Sequence, residues 1–168
     1  MAGVIFDLDQ TLVDSSSAEK LRKARQWGQV YKLIPGFSVY PGIGNALKYL
    51  RDRQIPFSIV STSPGIYCQK VVSHWGLQTP FLVGYFDTAK TKPYPEPILK
   101  ALELMGCTAG QCLSLGDRDI DIQASNAAGV RSIACTWGAA DLTGLLASSP
   151  SDILGESKGL IRLFEGFF

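Results

Sequence analysis

Two aspartates two positions apart, Asp7 and Asp9, follow the apolar run Val4-Ile5-Phe6 and lead into Gln10-Thr11. Alternation along a strand turns both carboxylates the same way while Leu8 points into the core, so one can attack and the other can move a proton. Two carboxylates gathered at one strand end repel each other unless a cation lies between them. A hard, oxygen-preferring divalent ion such as Mg²⁺ suits that position. An Asp-x-Asp pair alone is also what a strand ending in acidic turn residues looks like, so the other strand ends must decide between the two.

The apolar run Phe57-Ser58-Ile59-Val60 ends in Ser61-Thr62-Ser63-Pro64-Gly65. This hydroxyl-rich turn opens a helix, and such a turn either caps the helix or offers N–H and O–H donors to a phosphate. Lys92 lies in the proline-rich stretch Lys90-Thr91-Lys92-Pro93-Tyr94-Pro95-Glu96-Pro97. Restricted backbone there can hold an ammonium at fixed range from an anionic reaction centre. After Leu113-Ser114-Leu115 comes Gly116-Asp117-Arg118-Asp119-Ile120-Asp121. Asp117 and Asp121 are one helical turn apart and can share a face, one serving a cation and the other holding Lys92. Asp119 reads as an early-helix acid favoured by the helix dipole.

The elements that carry these groups alternate in type. Short branched apolar runs predict strands near Gly3 to Asp7, Phe57 to Ser61, Phe81 to Tyr85, Cys112 to Leu115 and Val130 to Cys135. Helical periodicity is expected near Ile43 to Asp52, Ile66 to Trp75, Glu96 to Met105, Ile120 to Ala127 and Leu142 to Ala147. Ser151 to Leu154 adds a short sixth strand before a last helix, and the end Phe164-Glu165-Gly166-Phe167-Phe168 is expected to fray or lie on the surface. Repeated strand–helix units of this kind make an α/β fold around a parallel sheet. Ligands then gather beyond the carboxyl ends of its strands, where the polar groups above all fall.

One segment breaks the alternation. Ser16 to Lys32 reads as an extra helical stretch followed by the turn Ile34-Pro35-Gly36. Leu21, Ala24, Trp27 or Gly28, and Tyr31 recur at helical spacing, while Lys20, Arg22, Lys23, Arg25 and Lys32 make the segment basic. It is either a solvated face or a lid over the site that attracts anionic substrates. On the second reading Arg22, Lys23, Arg25 and Tyr31 are the candidate contacts to the leaving group.

At 168 residues the chain is read as one domain. A formal charge of +1 gives no electrostatic footprint for nucleic acid or a membrane surface. Cys68, Cys107, Cys112 and Cys135 form no Cys-x-x-Cys pair and read as reduced core thiols, which suits the cytoplasm. No signal-sequence pattern opens the chain, and no apolar run approaches the roughly 18 residues of a membrane span. His74, the single histidine, reads as structural, and Trp27, Trp75 and Trp137 as packing residues rather than a nucleic-acid platform.

Taken together, the motifs resemble the haloacid dehalogenase-like (HAD) hydrolases, most closely their phosphoglycolate-phosphatase-like branch. Phe6-Asp7-Leu8-Asp9-Gln10-Thr11, Ser61, Lys92-Pro93, and Gly116-Asp117 with Asp121 are similar to the family's four motifs, in order and spacing. Pro41-Gly42 before Ala46-Leu47-Lys48-Tyr49-Leu50, and Trp137-Gly138, resemble its helix start and tail, so the likeness spans nearly the whole chain. The resemblance implies a Rossmann-like three-layer α/β/α fold with a parallel sheet of five or six strands, as a single domain over 1–168 with a minimal helical cap at about 15–36.

It further implies a Mg²⁺-dependent phosphatase acting on phosphate monoesters through an aspartyl phosphate. Asp7 would be the nucleophile and Asp9 the acid and base. Ser61, Thr62, Lys92, Leu8 and Thr11 would surround the phosphoryl group. Asp7, Asp117 and the Asp9 carbonyl would hold the metal, and Asp121 would orient Lys92. The acid at Asp9 favours phosphate esters over carbon–halogen bonds. A phosphotransferase using the same intermediate, or a non-catalytic phosphate-binding module, are the alternatives. The expected partner is a phosphorylated small molecule, with a phosphorylated macromolecule or a neighbouring subunit as the other ways of covering so small a cap.

Overall fold

Val4, Ile5 and Phe6 are all buried, yet they serve two cores: Val4 and Phe6 pack into one apolar cluster and Ile5 into another. A strand whose successive side chains enter different cores must lie at the centre of a sheet covered on both faces. The computed structural model, which describes all 168 residues, has that arrangement. In chain order the elements are β1 (Gly3–Phe6), β2 (Val13–Asp14), α1 (Glu19–Lys23), α2 (Trp27–Leu33), β3 (Ser38–Val39), α3 (Ile43–Asp52), β4 (Phe57–Val60) and α4 (Gly65–Trp75). Then follow β5 (Phe81–Val83), α5 (Glu96–Met105), β6 (Cys112–Gly116), α6 (Asp119–Ala127), β7 (Arg131–Cys135), α7 (Leu142–Ala147), β8 (Asp152–Leu154) and α8 (Leu160–Phe167).

The main sheet has six parallel strands in the order β5-β4-β1-β6-β7-β8. The larger core joins α3, α4 and α8 to one face, through Leu47, Leu50, Val71 and Phe164 among others. The smaller core joins α5 and α6 to the opposite face through Ile98, Ala101, Leu102 and Ala124. This is the expected three-layer α/β/α fold, with Asp152–Leu154 confirmed as the sixth strand. Successive strands step outward from β1 to β5 and then, from β6, outward on the other side. The crevice between β1 and β6 is therefore the topological switch point where an open parallel sheet receives its ligands.

Three features differ from the sequence expectation. The stretch Ser16 to Lys32 is not one helix: a short 3₁₀ turn, Ser16–Ala18, precedes α1, and the chain breaks before α2. Arg25 at the break has a left-handed φ of 55°. The Gln26 N–H donates to the Leu21 carbonyl and the Arg25 N–H to that of Arg22. These two bonds make a Schellman ending, usually signalled by a glycine that this sequence lacks. Of the periodic residues, Leu21, Trp27 and Tyr31 pack against the core, Ala24 and Gly28 are exposed, and Val30 is fully buried. Second, β2 and β3 form a two-stranded antiparallel ribbon that frames the insertion. Third, the C-terminal segment does not fray. Phe164 is 0% exposed, in edge-to-face contact with Phe6, because α8 closes the larger core beside α3.

All four cysteines are free, as expected, and no helix is long and apolar enough to cross a membrane.

Candidate active site

Asp7 follows directly on β1, its N–H donating to Leu115 of β6, so the switch-point crevice opens at its side chain. Asp117 arrives from the β6–α6 turn, Asp121 from the first turn of α6, Ser61 from the end of β4, and Lys92 from the loop ahead of α5. Gly116 is required here: a Cβ at that position would lie 2.3 Å from the Asp121 Cβ. The turn can therefore fold back far enough to bring Asp121 under Asp117. Trp137 donates its indole N–H to the Thr11 carbonyl at 3.1 Å, and a Cβ on Gly138 would overlap the Gln10 carbonyl. The tail after β7 thus braces the loop after β1, in which Gln10 has a left-handed φ of 66°.

Lys92 is the hub of the site. Its Nζ lies 2.7 Å from Asp7 Oδ1 and 2.6 Å from Asp121 Oδ1, and it donates to the Val60 carbonyl at 2.9 Å, with the side chain 2% exposed. Burial opposes its charge, but Asp121 and Asp7 outweigh burial and hold the ammonium above its usual pKa. Asp7, Asp117 and Asp121 form a buried group whose carboxylate oxygens lie within 4.8 Å of one another. Their pKa directions divide the three. Burial acts to raise all of them, yet Lys92 and Arg118 overcome it at Asp121, which is held below the usual carboxylate range. Asp7 and Asp117 are raised by burial and by their carboxylate neighbours. Asp121 is thus balanced by Lys92 and Arg118, whereas at Asp7 and Asp117 burial and neighbouring carboxylates outweigh the nearby cations. Residue spacing alone leaves open which of Asp117 and Asp121 serves which role; the side-chain packing pairs Asp121 with Lys92, as the family resemblance implies.

An all-oxygen donor set fits a hard divalent cation. The Asp9 carbonyl accepts no hydrogen bond within the protein. The Asp9 carboxylate stands outside this group, in a constellation of its own. Ser15 and Tyr67 donate to its Oδ1 at 2.6 and 2.5 Å, while Arg22 Nη1 lies 2.7 Å from Oδ2 and Ser63 donates to Oδ2 at 3.4 Å. Two of these partners, Ser15 and Arg22, belong to the insertion, which therefore reaches the floor of the site.

Thr11, expected at the phosphoryl group, is fully buried and donates its hydroxyl to Asp117 Oδ1 at 2.9 Å, so it positions that carboxylate instead. The Leu8 side chain is in the core, but the N–H groups of Leu8, Asp9 and Thr62 have no acceptor within the protein. Ser61 is buried and accepts from the Ser63 N–H, which leaves its own hydroxyl proton available. Thr62 accepts from the Arg118 guanidinium at 3.0 Å. Asp119 is exposed at the start of α6, as expected of an early-helix acid. His74 packs edge-on against Trp75, and the two stay outside the cavity.

A cavity of about 500 Å³ opens above Asp7, Asp9 and Asp117, and Arg22, Lys23, Arg25 and Tyr31 all line it. Sequence reasoning missed Arg118, Ser15, Ser63 and Tyr67, as well as the cavity side of Trp27. Arg118 had a signal, as a single cation inside a run of acids. Tyr67 had none, because its partner Asp9 is 58 positions away.

The raised acids make a pH prediction. Asp7 and Asp117 bind their protons more tightly folded than unfolded, so their stabilising contribution is complete below about pH 4 and is lost as pH rises through their elevated folded values. Asp121 acts oppositely, its contribution being lost on acidification below the same range. In EDTA the Tm is expected to fall between about pH 5 and pH 8, and Mg²⁺ to raise it more at the higher pH, since cation and proton compete for the same oxygens. Thermal melts would reveal this, and a Tm flat in pH and indifferent to Mg²⁺ would contradict it.

A family model described as haloacid dehalogenase-like hydrolase matches residues 17–135. The phosphoglycolate phosphatase of Pseudomonas putida is 27% identical over 125 residues, 73% of this chain and 46% of that protein. That of Xanthomonas campestris pv. campestris is 32% identical over 102 residues, 60% of this chain and 46% of that protein. The chain spans about half the length of the curated relatives it matches. Among solved structures, one titled as a predicted phosphoglycolate phosphatase from Haemophilus somnus superposes with a TM-score of 0.84 at 20% identity, covering 98% of each chain. That likeness is one of fold.

Proposed function

Because this chain belongs to the haloacid dehalogenase-like hydrolases, in their phosphoglycolate-phosphatase-like branch, we propose that it hydrolyses phosphate monoesters through an aspartyl phosphate formed on Asp7. The observation that carries the reading is the Lys92 ammonium shared between Asp7 and Asp121 beside Asp117, with Asp9 held separately on the same cavity floor. One carboxylate is thereby ready to attack and another to transfer protons.

Asp7 has one oxygen on Lys92, leaving the other to attack phosphorus in line. As the bond from phosphorus to the leaving oxygen breaks, Asp9 gives that oxygen a proton. In the second half Asp9 takes a proton from water, whose oxygen attacks phosphorus, releasing phosphate and restoring Asp7. Lys92, the Ser61 hydroxyl and the N–H groups of Leu8, Asp9 and Thr62 are the donors for the phosphoryl oxygens. Asp7, Asp117 and the Asp9 carbonyl would hold Mg²⁺, which when bound supplies further neutralisation of phosphoryl charge. Thr11 steadies Asp117, and Ser15 and Tyr67 aim the Asp9 carboxylate. The short insertion, at about 15–36, serves as the cap.

The test is phosphate release from a panel of sugar phosphates, nucleotides, phosphoglycolate and an aryl phosphate, with Mg²⁺ or with EDTA. Metal-dependent release into water supports the reading. Transfer to an added alcohol in preference to water would make the protein a phosphotransferase, and no release from a folded protein would count against catalysis. The basic cap makes a narrower prediction. Arg25, exposed at the cavity rim, contributes long-range attraction, so Arg25→Glu is expected to raise KM for a dianionic substrate about threefold or more at low salt, with kcat little changed. That effect should shrink at higher ionic strength; a KM insensitive to both charge and salt would remove the cap from substrate attraction.

A further inference from the structure

The cavity that holds the carboxylates also has an apolar lining. Trp27 and Tyr31 of α2, Ile66 of α4, and Tyr85 and Phe86 just beyond β5 contribute to it. Phe86 is 79% exposed, Ile66 67% and Tyr85 38%. Large apolar side chains exposed together around the mouth of one cavity mark a surface that a ligand covers. Three of the rings are held by ring neighbours. Tyr85 and Phe86 pack edge to face at 4.9 Å, and Trp27 leans on the buried Tyr67 at 5.5 Å. A wall whose rings are oriented in advance costs little further ordering when a flat ligand meets it. The exposed cations lining the same cavity, Lys23 and Arg25, complement electron-rich rings as well as phosphate.

A volume of about 500 Å³ suits a small molecule rather than a macromolecular surface. A two-carbon acid such as glycolate would occupy only the carboxylate end and leave the aromatic wall in water. Resting on the phosphomonoesterase reading above, we infer that the preferred substrate is the phosphate ester of a primary alcohol bearing a planar aromatic ring, with the ring seated against Trp27, Tyr31, Tyr85 and Phe86. The phosphate is at the floor, the ester oxygen faces Asp9, and the ring lies one short linker above.

Matched pairs isolate the ring from the ester chemistry: 2-phenylethyl phosphate against ethyl phosphate, and adenosine 5′-monophosphate against ribose 5-phosphate. In each pair kcat/KM is expected to favour the aromatic member by about tenfold or more, the size of one stacked ring. Phe86→Ala should cut that ratio at least about threefold. Ile153→Ala, at an exposed apolar site on β8 away from the cavity, should leave it as it is. Equal or reversed preference within the pairs, or a ratio indifferent to Phe86→Ala, would overturn the inference while leaving hydrolysis intact. Binding of 2-phenylethyl and ethyl phosphate to Asp7→Asn protein, followed by calorimetry, separates the two readings from the other side. Tighter binding of the aromatic ester with no turnover by wild-type protein would keep the ring site and discard the hydrolysis. Equal binding of the two esters would discard the ring site.

Discussion

Asp7→Asn is expected to lower turnover by on the order of 10⁴-fold or more while the protein stays folded, with a Tm in EDTA no lower than wild type. The two effects have one origin. Asp7 is a buried carboxylate raised first by desolvation and further by Asp121, so in the metal-free protein its charge opposes folding and is only partly offset by Lys92. Asparagine keeps an Oδ1 that can accept from Lys92, and Lys92 retains Asp121 and the Val60 carbonyl. What asparagine lacks is nucleophilicity and the anionic oxygen for a cation. Phosphate release and thermal melts on the same preparation test both parts. Retained turnover would remove Asp7 as nucleophile. A large loss of Tm would mean that its charge is needed for folding rather than chemistry.

Lys92→Met should fail in the opposite way, losing both activity and stability. The ammonium sits 2.7 Å from Asp7 and 2.6 Å from Asp121, and its side chain is almost wholly buried. Methionine fills similar space but leaves the two carboxylates beside Asp117 with Arg118 as their nearby cation. Breaking one side of a buried charge pair costs roughly 3–5 kcal/mol, and loss of the fixed charge facing the phosphoryl group is expected to lower kcat about 10²- to 10³-fold. The deficit in stability should shrink as pH falls toward about 4, because the orphaned carboxylates can then take up protons. Urea unfolding at two pH values would measure this, and a deficit that grew on acidification would contradict the assignment of Lys92 as counter-ion. Mg²⁺ should recover part of the stability, since it binds the folded carboxylates and not the unfolded chain.

These two variants probe residues that stand far apart in the sequence and were nonetheless legible there. Asp7, Ser61, Lys92 and Asp117 each follow a strand or precede a helix that local periodicity marks out. In a parallel sheet all strand ends of one polarity fall on one edge, so finding the strands is nearly enough to bring the four together. The same local signals account for α3, α5 and α7, observed over the predicted spans.

The insertion was less legible because its decisive contacts are not local. Nothing in Arg22 or Ser15 announces that they will meet Asp9, and Tyr67 reaches the same carboxylate from a different helix. The break at Arg25 lacks the glycine that usually marks a left-handed helix end, so its hydrogen bonds appear only in the fold. Phe164 stands in a short apolar run at the chain end, and only its packing in α8 against the larger core shows its burial.

By itself the sequence determined the three-layer fold and which acids, hydroxyl and lysine fall at the strand ends of the candidate site, since hydrophobic period and strand-end chemistry are written in neighbouring residues. Only the tertiary structure decided that Thr11 belongs to Asp117, that Asp9 stands apart under Arg22, and that aromatic rings from two segments share one cavity. Charge balance and cavity shape depend on distances between residues remote in the chain, and those distances exist only once both cores have packed.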